Sequence, residues 1–251
     1  MSSSILRLMK TFVSVMLVLL LSAFSAEAKT KHATTRAARH SAKHSAKHSA
    51  KHAHSKHHPK KDVSIVNKTG VSSGFSAVVI DAGHGGHDPG GIPQNIIPEK
   101  GVALDVALRL SRALQRAGIN TILTRKDDTF IPLNTRAAIA NAHPEAIFVS
   151  IHFDASPRRD ACGVSAHYAA PGEAPLAIAI ERRLSATTNG TNRGIKPARF
   201  YVLRKTTRRA VLVECGFLTN PHDADLAQRG AYRQKVAEQI CAGIVEYRRS
   251  L

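Results

Sequence analysis

Cysteine is nearly missing from this chain: Cys162, Cys215 and Cys241 are the only three in 251 residues. An odd number at irregular spacing does not describe a disulfide framework, which excludes the small bridge-stapled folds; one disulfide is compatible with the count, and the sequence does not say which pair. Long apolar runs are equally scarce. The stretch from Phe12 to Phe24 is the one candidate, and it is shorter than the ~20 residues a spanning helix requires. Two motif patterns narrow the chemistry further. The glycine-rich segment near residue 85 fits neither GxGxxG nor the Walker pattern, and no Lys-Ser/Thr pair follows it, which sets nucleotide binding aside. The one GxSxG match, Gly70–Gly74, precedes the first apolar strand-like run instead of following one, so nothing points to a serine nucleophile on a sharp strand-to-helix elbow.

Acids are absent from one long segment. From Lys29 to Lys61 there are ten Lys or Arg and eight His without a single Asp or Glu, and HSAK recurs at His40, His44 and His48. No apolar face appears at any period, so this stretch cannot bury enough surface to offset the entropy of ordering. It reads as a disordered basic tail and linker over 29–75. Lys29–Lys61 holds ten of the 36 basic residues, so the formal +18 belongs partly to it, and the rest keeps a basic excess. A His-rich tract can bind metal, but a polycationic tether to an anionic envelope polymer or lipid surface suits the composition better. Before the tail, Arg7 and Lys10 precede the apolar stretch, and Ala26-Glu27-Ala28 supplies a small-x-small cleavage site. That is the layout of a secretory signal peptide over 1–28. Export makes nucleic acid an improbable partner. It places the mature protein in the periplasm first and in the extracellular cell wall second, as a monomer without a spanning segment.

The globular part, 76–251, is large enough for one well-buried domain. Its elements alternate. Strands are expected at Ala77–Asp81, Ile119–Thr124, Ala146–Ile151, Gly163–Tyr168 and Ala210–Glu214, with a short edge strand at Phe200–Leu203. Helices are expected at Lys100–Ala117, Leu133–Ala142, Ala174–Ala186 and Ala231–Arg248, and Gly118 suits a left-handed cap. This pattern predicts a single α/β domain with a mostly parallel twisted sheet and helices on both faces.

Four residues able to hold or serve a metal sit at the breaks of this pattern. His84 lies in VVIDAGHGG, Glu99 in IPEKG, His152 in FVSIHFDA and Glu214 in VLVECGF. Strand C-terminal ends gather on one edge of an α/β sheet, so residues scattered over the chain can converge there. Two imidazoles and a carboxylate make a catalytic zinc shell with one position open, and a further glutamate is what such a site needs as general base. Each residue has a plainer reading. His84 alone could be a turn histidine, and His87 is its rival as ligand. Glu99 could simply answer the helix dipole. Glu214 ends an apolar strand, where an unpaired charge costs several kcal/mol, and a salt bridge to Arg208 or Arg209 would explain it. Asp81, Asp88 and Asp154 could orient an imidazole or cap turns. Cys215 should face away from Glu214.

Taken in order, VVIDAGHGGHDPG, PEKG, LTRKDDTFIPLNTRAAIAN, FVSIHFDA and VLVECGFLTN resemble the zinc-dependent N-acetylmuramoyl-L-alanine amidases of the amidase-3 type, bacterial cell-wall hydrolases. The resemblance covers about Ala77 to Tyr247. It implies one Zn2+ per chain held by His84, Glu99 and His152, with Glu214 activating water against the amide between N-acetylmuramic acid and L-alanine in peptidoglycan. Arg125 and Arg136 could contact substrate carboxylates, with structural ion pairs the plainer reading. The short Phe153–Tyr168 stretch leaves no room for the blocking helix that some members carry, so an open site is expected. A different zinc hydrolase on the same scaffold (a carboxypeptidase or deacetylase) and a non-catalytic wall-binding protein are the competing readings.

Overall fold

The computed structural model describes residues 74–92, 98–186 and 191–251; the expected signal peptide and basic tail lie outside them. Six strands form one sheet: β1 (Ala77–Ala82), β2 (Asn120–Leu123), β3 (Ala146–Asp154), β4 (Val164–Tyr168), β5 (Asn192–Pro197) and β6 (Ala210–Phe217), in the order β2-β1-β3-β6-β4-β5. β2, β1, β3 and β6 run parallel, whereas β4 is antiparallel to β6 and parallel to β5. The mostly parallel α/β sheet is therefore as expected.

The central strands β1, β3 and β6 are largely apolar on both faces because both faces are covered. Helices α1 (Glu99–Arg116) and α3 (Ala174–Ser185) lie on one side. There Val106, Leu110, Ile180 and Leu184 pack with Ile80, Val149, Val213 and Cys215, all completely buried. The long C-terminal helix joins them through Val236, Ile240 and Ile244. The other face is thinner. α2 (Leu133–Asn141) and α4 (Tyr201–Lys205) cover it, with Ala140, Val202 and Leu203 on Val79, Phe148 and Leu212. Each fully buried large side chain contributes roughly 1.5–3 kcal/mol. The first face is thus the stability core, and the second leaves room toward its upper edge. Cys215 points into the first core, away from Glu214, as strand alternation requires.

Two elements depart from expectation. Phe200–Leu203 is not an edge strand: Tyr201–Lys205 is helical, and the edge is taken by Asn192–Pro197. A four-residue apolar run does not distinguish helix from strand. The real edge strand contains Asn, Gly, Lys and Pro, residues a strand tolerates only where one side is unpaired. Helix α5 (Pro221–Gln228) was not expected, since PHDADLAQ shows no clear apolar stripe. Its signal is at the start, where Asn220 accepts hydrogen bonds from the backbone N–H groups of His222 and Asp223 and Pro221 occupies the first turn. The final helix, α6, spans Gly230–Arg249. Among the described residues, no helix is long and apolar enough to cross a membrane.

Candidate metal centre

The C-terminal ends of β1, β3 and β6 bring the predicted residues together. His152 is directly paired with Glu214 across the β3–β6 ladder, and neighbouring strands lie ~4.8 Å apart, so the two side chains stand side by side on the thinner face. His84 arrives from the turn after β1. Its φ is +60°, a left-handed conformation that a non-glycine residue adopts only when its surroundings hold it there. Gly83 makes the approach feasible: a Cβ at this position would lie 2.3 Å from the His152 ring.

Two arginines supply the holding force. Arg136, only 2 % exposed, donates to the Ala82 and His84 carbonyls, each at 2.6 Å, and to Asp81 at 2.8 Å. Arg125 donates to the carbonyls of Ala82 at 3.0 Å and Gly83 at 2.6 Å. Both therefore clamp the backbone of the His84 turn; the structural ion pair expected of each is found for Arg136, with Asp81, whereas Arg125 binds backbone carbonyls instead. Asp81 is the anchor of this clamp and not an imidazole partner, because it binds Arg136, Thr124 and Ser150. Asp154 accepts the Ala155 N–H and likewise orients no imidazole. Asp88 does: its Oδ2 lies 2.9 Å from His84 Nδ1, which leaves Nε2 to face inward.

Glu99 opens α1 with its side chain buried at the meeting point. Its Oε1 is 3.0 Å from His84 Nε2 and 2.9 Å from His152 Nδ1. The backbone N–H groups of Phe153 and Gly91 donate to its two oxygens. Burial alone would raise this carboxyl, but hydrogen bonds from His152 and His84 outweigh it and hold it well below the usual carboxylate range. Burial pulls His84 down, and the Glu99 and Asp88 carboxylates more than offset that, leaving the imidazole raised. One ligand atom from each of His84, Glu99 and His152 lies within 4.8 Å of the others, a group able to hold a metal ion. Two imidazole nitrogens and a carboxylate oxygen suit zinc and leave coordination positions free. His87 stays outside; it is exposed and packs on Phe130, ring centroids 4.1 Å apart.

Glu214 is 8 % exposed, and its Oε2 is buried without a hydrogen-bond partner. Neither Arg208 nor Arg209 pairs with it: Arg208 reaches Thr207 and the Pro144 carbonyl, and Arg209 lies over the Tyr247 ring. Burial first, then the nearby Asp154 and Glu99 carboxylates, push its carboxyl well above the ordinary value. A cavity of about 350 Å³ reaches His84 and His152 and is walled by Phe130, Ile131, Leu133 and Phe200. The 155–163 segment after β3 carries no helix. Nothing in the sequence marks the walls of this cavity, because its residues come from loops around two short helices.

A family model described as N-acetylmuramoyl-L-alanine amidase matches residues 78–246. N-acetylmuramoyl-L-alanine amidase LytC of Bacillus subtilis is 36 % identical over 176 residues, 68 % of this chain, though the match spans only 35 % of LytC. N-acetylmuramoyl-L-alanine amidase AmiA of Escherichia coli is 30 % identical over 223 residues, covering 70 % of this chain and 77 % of AmiA. Among solved structures, the catalytic domain of CwlV, an N-acetylmuramoyl-L-alanine amidase from Bacillus (Paenibacillus) polymyxa, superposes with a TM-score of 0.67 at 34 % identity. That likeness covers 69 % of this chain and 98 % of the CwlV domain.

Proposed function

The chain belongs to the N-acetylmuramoyl-L-alanine amidase family, and from that premise we propose that it is a zinc hydrolase cutting the amide between N-acetylmuramic acid and L-alanine in peptidoglycan. The observation that carries the reading is the convergence of His84, Glu99 and His152 beside a buried carboxylate with an unpartnered oxygen. These residues fit zinc by donor type and spacing. A zinc ion held there supplies Lewis-acid polarisation, acidifies water, and adds a positive charge that favours the ionised form of Glu214.

The remaining work falls to side chains of this chain. Glu214 Oε2 has no competing donor, so it is free to take a proton from the attacking water and return it to the leaving L-alanine nitrogen. Burial and the neighbouring carboxylates raise its affinity for protons in the metal-free protein. Asp88 fixes the tautomer of His84, and Arg125 and Arg136 fix the turn that presents it. The apolar walls of the 350 Å³ cavity exclude water from one side of the scissile bond.

We place residues 1–28 as a signal peptide, 29–75 as the basic tail and 76–251 as the catalytic domain, with action outside the cytoplasm and the periplasm as the compartment. The tail then tethers the enzyme to anionic polymer or lipid. Deleting Lys29–Lys61 should weaken wall binding more than turnover of small muropeptides; equal loss in both assays would argue against the tether. The reaction is tested by mass spectrometry of muropeptides digested with and without a chelator. Intact stem peptides with a free L-alanine amino end, lost on chelation and restored by zinc, are expected. Cleavage within the stem peptide would point to a carboxypeptidase, and loss of acetyl groups to a deacetylase.

A further inference from the structure

A second cavity, about 520 Å³, lies beyond the ends of β3 and β6, lined among others by Asp154, Ser156, Arg158, Arg193 and Phe217. Its position follows from the topology. β4 runs against β6 and β5 runs with β4, so the start of β5 returns to the edge where β6 ends. Arg193, the second residue of β5, thereby reaches over Phe217, its guanidinium carbon 4.9 Å from the ring centroid. Phe217 follows Glu214 by three residues on the same strand.

Arg193 is held but not satisfied. Its Nη1 donates to the Cys162 carbonyl at 3.4 Å, while Nε is buried with no partner. No carboxylate among the described residues pairs with it. The cavity's other arginine, Arg158, is already engaged by Asp160 at 2.8 Å, and Asp154 accepts the Ala155 N–H at 2.7 Å. Asp223 Oδ2 ties the start of β4 to the end of β6 beside the cavity, accepting both the Gly163 N–H at 2.7 Å and the Phe217 N–H at 3.0 Å. A buried guanidinium N–H lacking an acceptor is costly, and the planar fork of arginine matches a carboxylate in two places.

We propose that Arg193 binds a carboxylate on the peptide side of the scissile amide and so sets substrate specificity. This rests on the amidase reading and deepens it. The acyl side of a muramoyl amide carries no charge there, because its carboxyl group is consumed in the bond being cut. A substrate carboxylate must therefore belong to the peptide. The apolar cavity that reaches His84 and His152 suits the uncharged acyl side; the second cavity also carries Asp154 and Asp160, and within it Arg193 is the cation left without a carboxylate partner, the place for the charged side.

The test uses zinc-loaded full-length protein and two muramoyl-L-alanyl peptides of equal length, one with free peptide carboxylates and one with them capped as amides. Wild type should favour the carboxylate substrate about tenfold to hundredfold in kcat/KM, the range for a partly desolvated charge pair. R193Q should erase that preference by raising KM for the carboxylate substrate, and R193K should fall between. Unchanged preference in R193Q, or equal loss on both substrates with the melting temperature intact, would overturn the proposal. Titration of the free peptides into wild type and R193Q reads the same site without turnover. Should neither substrate be cleaved while wild type still binds the carboxylate peptide and R193Q does not, the amidase reading fails and the anion site stands. Equal binding by both proteins removes the site.

Discussion

Asp81 and Glu214 are both buried carboxylates on the thinner face of one sheet, on β1 and β6, yet their surroundings are opposite. Asp81 is 1 % exposed and shares its oxygens among Arg136, Thr124 and Ser150. Glu214 is 8 % exposed, and one of its oxygens meets no donor. A carboxylate surrounded by donors is committed to holding structure. One buried without them is a liability to the fold and is explained by a ligand or a reaction. Burial alone thus does not separate the two roles; the tally of partners does.

Substituting each carboxylate by its amide should split the two regions cleanly. The largest effect is expected for E214Q, with turnover reduced about 10²–10⁴-fold, the range for loss of a general base, and no loss of stability toward urea. Unchanged hydrolysis would remove Glu214 from the reaction. D81N should instead lower stability by about 3–5 kcal/mol because Arg136 is left buried without its counter-charge. A D81N protein as stable as wild type would mean that the backbone carbonyls suffice to hold Arg136.

Acid sharpens the contrast. As general base, Glu214 must be ionised, so kcat/KM should fall as pH drops through the midpoint at which this carboxylate takes up its proton. Stability carries the opposite sign. The folded metal-free protein holds the Glu214 proton more tightly than the unfolded chain, so the stabilisation it brings is full below the unfolded pKa and is lost as pH rises through the folded one. Metal-free E214Q should therefore unfold at higher temperature than metal-free wild type at neutral pH. A lower melting temperature would contradict the unsatisfied state of this carboxyl. The smallest effect is expected for D88N, which leaves His84 in place but unfixed and should weaken zinc binding about 10–100-fold in a chelator competition.

The convergence of His84, Glu99, His152 and Glu214 was legible because each lies where an apolar run ends or a helix begins, and chain topology brings such points to one edge. The face of Cys215 followed from alternation alone. What was not legible depends on contacts between distant segments. Arg136 lies 54 residues from Ala82, whose carbonyl it binds, and nothing local distinguishes it from an exposed helix arginine. The run at Phe200 was too short for its period to be read, and Arg193 gains its meaning only because β4 reverses direction and returns β5 to the end of β6.

The most direct measurement is zinc content by elemental analysis of purified wild-type and E214Q proteins, side by side. One zinc per chain in both, with hydrolysis confined to wild type, is predicted from three ligands that do not include Glu214. Folded wild-type protein that takes up no stoichiometric metal, or zinc lost on substituting Glu214 alone, would contradict it.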